Sequence, residues 1–261
     1  MADESAAKPF YSVLVLAFVC SLLVSWAAIG LRPLQEENRQ LDMKKNILRA
    51  AGLYEPDKSV DELFANIETR IIELASGEFV PEERVSPESY DQLKAALQTD
   101  SSRSLDRDED IAGLGRLEKY APVFLVRSKN GFEQIILPIR GKGLWSTLHG
   151  YVALDADLNT IRGISFYEHG ETPGLGGEIE NEQWRAGWEG KKLYGPDEEV
   201  RLRVVKGSAP ATGEAAQHEV DGLSGATMTA EGVNDLMHFW FGDHGFKTFI
   251  ERLQKTGGLN G

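Results

Sequence analysis

Ala121-Pro122-Val123-Phe124-Leu125-Val126-Arg127-Ser128-Lys129-Asn130-Gly131-Phe132-Glu133-Gln134-Ile135-Ile136-Leu137-Pro138-Ile139 is the stretch on which the fold turns. Two apolar runs, Val123 to Val126 and Gln134 to Ile139, flank Lys129-Asn130-Gly131. Asn-Gly readily takes the positive φ angles of a tight hairpin turn, so the spacing predicts two antiparallel strands. A second pair follows, with Gly150 to Leu154 and Ile161 to Tyr167 joined by a turn through Asp155 to Asn159. Arg201 to Val205 is a further strand candidate.

Helical patterns lie on either side of these strands. Leu34 to Ala51 carries Leu41, Ile47, Leu48 and Ala51 on a shared side, and Gly52 can end it. Ser59-Val60-Asp61-Glu62 has capping-box spacing and predicts a second helix through about Leu74, stopped by Gly77. The polar stretch from Pro81 to Asp110 has room for one short helix around Leu93 to Leu97. Ala230 to Leu253 reads as a helix, or as a pair broken near Gly242 to Gly245. Hairpins set between helices imply an α+β fold with a mainly antiparallel sheet flanked by helices.

Phe10 to Leu31 contains no charged residue, and about 20 such residues span a bilayer core. The run is too long for the apolar part of a signal peptide, and no Ala-x-Ala-like cleavage site follows it. A retained single-span anchor is therefore expected. The flanking charges give a contrary orientation signal. Arg32, Arg39, Lys44 and Lys45 follow the span while Lys8 precedes it, and the positive-inside rule alone would keep the remainder of the chain in the cytoplasm.

The net charge of −13 argues against a nucleic-acid backbone as a partner. The only cysteine, Cys20, falls inside the apolar run. The rest of the chain therefore cannot form an internal disulfide, a thiolate zinc site or a cysteine-ligated iron–sulfur cluster. If this protein moves electrons, an organic cofactor or a haem must carry them. His169 and Glu171 have no further His or Cys nearby, so no metal site is expected there.

Asp221-Gly222-Leu223-Ser224-Gly225-Ala226-Thr227-Met228-Thr229 is the most informative segment for chemistry. It is a turn of small and hydroxyl-bearing residues placed directly before a helix. Gly225 and Ala226 let the backbone approach a bulky ligand, Thr229 can act as the N-cap, and the free N–H groups of a helix start favour an anion. On local pattern alone an ordinary capped helix entrance explains it as well. Glu168-His169-Gly170-Glu171-Thr172-Pro173-Gly174-Leu175-Gly176-Gly177 is a glycine-rich loop after a strand, and its amides can face a ligand or simply make a connection. Gly143-Leu144-Trp145-Ser146 is an apolar turn whose Trp is, by itself, ordinary packing.

D-x-x-S-G-A-T resembles the recognition motif of the FMN-binding domain found in the C subunit of the Na⁺-translocating NADH:quinone reductase and in the G subunit of the related Rnf complexes. E-T-P-G-L-G and G-L-W-S resemble further signatures of that family. The resemblance implies that a dedicated flavin transferase joins FMN through its phosphate to the last threonine of the motif, here Thr227, with Ser224, Gly225, Ala226 and Thr229 around the attachment point. It implies that the loop of Glu171, Thr172, Gly174, Leu175 and Gly176 lies against the flavin, with Thr172 and Leu175 on the ring, and that Leu144 and Trp145 form an apolar wall. A phosphodiester keeps one negative charge, which a helix N-terminus stabilises.

In these terms residues 1–9 are a short tail, 10–31 the transmembrane helix, 32–116 a helical, loop-rich membrane-proximal region, and 117–256 the FMN-binding domain. The family's role is electron transfer within a bacterial inner-membrane pump that oxidises NADH, reduces ubiquinone and transports sodium. Electrons arrive from an iron–sulfur subunit and leave to another flavin subunit, and the soluble domain is periplasmic. No G-x-G-x-x-G lies between a strand and a helix, so NADH is expected to bind elsewhere. One-electron traffic needs no general base, so no catalytic residue is expected. Two alternatives stay open: the Rnf counterpart, and a membrane-anchored assembly domain with no cofactor.

Overall fold

A computed structural model describes residues 7–128 and 131–257, apart from the side chains of residues 7 and 8. The chain divides into two compact units, Met1–Met43 and Lys44–Gly261. The described part of the first unit belongs to α1 (Ala7–Ala50), which is exposed along its apolar run. Among the described residues it is the one helix long and apolar enough to cross a membrane, consistent with a single-pass anchor. Expected as two helices over 10–31 and 34–51, the chain forms one that ends at Ala50, with Pro33 inside it. A proline removes one backbone hydrogen bond and kinks a helix, but long helical flanks can carry the axis past it.

The end of α1 belongs to the second unit, where Ile47, Leu48 and Ala50 are fully buried. Ser165 Oγ donates to Asn46 Oδ1 at 3.2 Å, and a Cβ on Gly163 would stand 2.5 Å from the Ala50 carbonyl. Gly52, at φ 69°, stops the helix as its sequence position suggests.

The next expectation fails. Instead of a helix to Leu74, α2 (Val60–Phe64) lasts five residues, with no cap bond from the Ser59 side chain. The chain then enters β1 (Ile67–Glu73), and Gly77 serves the turn into β2 (Glu78–Val80). β1 pairs antiparallel with β5 (Tyr120–Ser128) from Ile67 opposite Val126 to Glu73 opposite Tyr120. Its Ile67, Ile71 and Ile72 become buried in this pairing. Packing of β-branched residues in a sheet outweighs a local capping signal.

α3 (Gln92–Leu97) matches the short helix expected in the polar stretch, and β3 (Ser102–Ser104) pairs with β4 (Arg116–Glu118) beside it. β6 (Gly131–Lys142), β7 (Thr147–Asp155) and β8 (Ile161–Glu168) complete an antiparallel sheet of order β2-β1-β5-β6-β7-β8. Both predicted hairpins are present as β5–β6 and β7–β8. The residues expected to close the first, Lys129 and Asn130, lie outside the described residues.

Beyond the sheet come a 3-10 turn (Gly176–Glu180), α4 (Glu182–Ala186), β9 (Arg203–Val204), α5 (Glu214–His218) and β10 (Glu219–Val220), with β9 and β10 paired in parallel. The candidate strand Arg201 to Val205 thus shortens to two residues. α6 (Thr227–Phe241) and α7 (Lys247–Lys255) are the broken pair read at the C-terminus.

α6 packs on β6 through glycines. A Cβ on Gly141 would lie 2.5 Å from Leu236 Cβ, and one on Gly232 would lie 2.4 Å from the Lys142 carbonyl. Trp240 Nε1 donates to the Arg140 carbonyl at 2.6 Å, and the Arg140 guanidinium lies 5.3 Å from the Trp240 ring centroid. Arg140 itself forms a buried bidentate pair with Glu118, at 2.7 and 2.5 Å. These contacts seat α6 from Gly232 to Trp240 on the end of β6, and so set where its first turn lies.

Candidate functional site

Three separate segments meet where α6 begins. The first is the tip of the β6–β7 hairpin, Gly143-Leu144-Trp145-Ser146, closed by Gly143 N–H donating to the Ser146 carbonyl at 2.7 Å. The second is the loop after β8, in which the Thr172 carbonyl accepts from the amides of Leu175 and Gly177 at 3.1 and 2.9 Å, with Gly174 at φ 74°. The third is Asp221 to Thr229.

Asp221 anchors this third segment. Its carboxylate accepts from Ala209 N–H at 2.7 Å and its carbonyl accepts from Trp184 Nε1 at 2.8 Å. A Cβ on Gly222 would stand 2.2 Å from the Val205 carbonyl, so only glycine allows that close approach. Gly225, at φ 70°, turns the chain into α6.

α6 starts at Thr227, earlier than expected. Ala226 is the residue before it, and no side chain caps the helix. Thr227 is exposed, as are Ser224 and Gly225, whereas Ala226 is buried. An uncapped helix start leaves its first amides free for an anion. Thr229, expected as the N-cap, instead lies within the first turn and is fully buried. Its hydroxyl donates to Glu171 Oε2 at 2.6 Å, because the helix begins two residues too early for Thr229 to reach around its own N-terminus.

Glu171 joins the three segments. Oε1 accepts from the backbone N–H groups of Trp145 at 2.8 Å and Ser146 at 3.3 Å, while Oε2 takes the Thr229 hydroxyl. Ser146 Oγ in turn accepts from Gly170 N–H at 2.5 Å, and Glu171 N–H donates to His169 Nδ1 at 3.2 Å. Burial pushes the Glu171 carboxyl up. Hydrogen bonds from Thr229 and from the amides of Trp145, Ser146 and Leu144 outweigh it, and the carboxyl sits below its ordinary value. Glycines make room for this contact: Cβ atoms on Gly143 and Gly176 would stand 2.7 and 2.8 Å from its carboxylate oxygens. Glu171, Thr229, Gly176 and Ala226 are thus the buried frame of the site.

The exposed part is apolar. Outside α1, the exposed large hydrophobic residues among those described are Leu97, Ile111, Leu144, Trp145, Leu175 and Met228. Four of the six sit on the tied segments, and Trp145 is 70% exposed. Leu175 lies against Gly225, where an added Cβ would meet its Cδ2 at 3.0 Å. Thr172 and Gly174 are exposed on the same loop. Met228 went unnoticed in the sequence, although a large apolar residue in the first, otherwise polar turn of a helix was a signal. Among the described residues no group of three or more His, Cys, Asp or Glu is arranged to hold a metal ion.

This arrangement has known counterparts. The FMN-binding domain family matches residues 143–242, a span that contains all three segments. The chain is 45% identical over 257 residues to the C subunit of the Na(+)-translocating NADH-quinone reductase of Pseudomonas aeruginosa, covering 97% of this chain and 98% of that one. It is 44% identical over 261 residues to the corresponding C subunit of Vibrio parahaemolyticus, covering 99% and 98%. The crystal structure of Shewanella oneidensis NqrC superposes with a TM-score of 0.74 at 35% identity, over 82% of this chain and 96% of that one. The crystal structure of the C subunit from Parabacteroides distasonis gives 0.65 at 29%, over 84% and 96%.

Proposed function

The chain belongs to the C-subunit family of the Na(+)-translocating NADH-quinone reductase, and on that premise we propose that it carries FMN covalently on Thr227, through a phosphoester, as an electron carrier of the complex. The observation that carries this reading is Thr227 itself, an exposed hydroxyl on the first residue of an uncapped fifteen-residue helix, in a segment tied to those of the exposed apolar residues Leu144, Trp145 and Leu175 and next to exposed Met228. A phosphate on that hydroxyl is a stabilising charge at a helix N-terminus. An exposed apolar surface of this kind is unfavourable in water and suits a planar ring system.

When bound, FMN supplies reversible electron uptake and release, for which the protein provides no acid or base. Thr227 holds the phosphate, and the Gly225 turn keeps the backbone close. Leu144, Trp145 and Leu175, exposed on the neighbouring loops, would shield the ring from water. Electrons pass from an iron–sulfur subunit to another flavin subunit, with NADH and quinone bound elsewhere in the assembly. α1 anchors the chain in the bacterial inner membrane with the folded unit on the periplasmic side, where a flavin transferase attaches the cofactor. A tether suits a compartment with no free FMN pool to refill a site. The flanking charges point the other way, but members of a large complex are also held by their partners.

The test is the mass of the peptide containing Thr227, from full-length chain expressed together with a flavin transferase. The expected result is the peptide plus one FMN less one water, and a fluorescent band in a denaturing gel that Thr227→Ala abolishes. Thr227 is exposed, so parent and variant made without the transferase, neither carrying flavin, melt within about 2 °C of each other. A peptide of unmodified mass from the parent chain refutes the assignment.

A further inference from the structure

A buried charge lies in the frame of the proposed flavin site. Glu171 takes its hydrogen bonds from one hydroxyl and from backbone N–H groups, and among the described residues none comes from a cation. Neutral donors hold a carboxylate in place without cancelling its charge. A glutamine of the same shape could make the same contacts. Its carbonyl would accept from Trp145 and Ser146, and its amide would face the Thr229 hydroxyl. What the carboxylate adds over that arrangement is the charge. Gly143 and Gly176 have no side chains where the carboxylate oxygens lie.

We propose that Glu171 is the positioning residue of the flavin site: it pins the Gly143–Ser146 tip and the first turn of α6 to the 171–176 loop, and its unneutralised charge lowers the reduction potential of a flavin held on Thr227. The inference rests on the flavin reading and deepens it by assigning control of the potential to this residue. Reduction adds electron density to the ring, and a fixed negative charge in the frame of the same site opposes it. Geometry and charge act through the same two oxygens, and side-chain variants separate them.

The experiment uses full-length chain expressed with a flavin transferase, as the parent, Glu171→Gln and Glu171→Ala. Intact mass reports flavin loading, and a redox titration of the loaded protein reports the potential. Loading of Glu171→Gln at the parent level is expected, with the ratio of reduced to oxidised flavin at a fixed poise rising on the order of tenfold, the effect of a unit charge about 12 Å away at an effective dielectric of about 20. Glu171→Ala, which removes the carboxylate bonds shared by the three segments, loses most of its loading, and the glutamine variant restores it. A loaded glutamine variant that titrates like the parent overturns the proposal, as does an alanine variant loaded like the parent. Should the alanine variant not fold, the titration of Glu171→Gln decides alone. A parent chain lacking the FMN mass overturns the flavin reading itself, and the mass spectrum reports that before any titration.

Discussion

Replacing Thr229 with valine deletes one hydroxyl and leaves the volume almost unchanged, so it isolates the bond from Thr229 Oγ1 to Glu171 Oε2 at 2.6 Å. Both residues are buried, and water cannot replace the lost donor. Removing one partner of a hydrogen bond to a charged group costs about 2 kcal/mol. In a folded unit of this size, residues 44–261, each kcal/mol moves the melting temperature by about 2–4 °C, so a fall of about 4–8 °C follows. The pH dependence has a definite sign. Burial raises the Glu171 carboxyl, the bonds from Thr229 and the hairpin amides outweigh it, and the folded-state value lies below the ordinary 4.5. A depressed carboxyl contributes stability that is complete above its unfolded value and lost as pH falls through the folded one. The gap between parent and Thr229→Val should therefore be widest at pH 7 and narrow below about pH 4.5. Thermal melts of the full-length chain in detergent, followed by circular dichroism between pH 3 and pH 8, measure it. A difference under 1 °C at pH 7, or a gap as large at pH 3 as at pH 7, would overturn this account of the bond.

Other contacts make separate predictions. Glu118→Ala leaves the Arg140 guanidinium buried beside Trp240 without its bidentate partner; a loss of about 3–5 kcal/mol should appear in the same melts, with Glu118→Gln less damaging. Gly245→Ala places a Cβ 2.1 Å from the Trp240 carbonyl in the turn between α6 and α7, and should cost at least about 2 kcal/mol, with faster amide exchange at Phe246. Amide exchange at Phe246 as slow as in the parent chain would show that the turn absorbs the methyl freely.

The structure also explains why some of the sequence readings failed. Ser59 to Glu62 has the spacing of a helix start, yet the helix ends at Phe64, because the isoleucines that follow pair with β5, 49 to 59 residues later in the chain. Local spacing does not reveal a partner strand at that distance. Thr229 looked like a cap because the pattern does not fix which residue starts a helix. The turn at Gly225, φ 70°, and the non-helical backbone of Ala226 put that start at Thr227.

The apolar span, the hairpins, the terminal helix pair and the motif ending in Thr227 were legible before any folding was considered. Each is written in the period of neighbouring residues or in a short run whose chemistry is local. Folding alone made Gly143–Ser146, Glu171–Gly176 and Ser224–Thr229 share one carboxylate, and it chose which of their residues face solvent. That carboxylate is 26 residues from Trp145 and 58 from Thr229. Burial and hydrogen bonding across such separations exist only once the sheet has closed and α6 has docked on it.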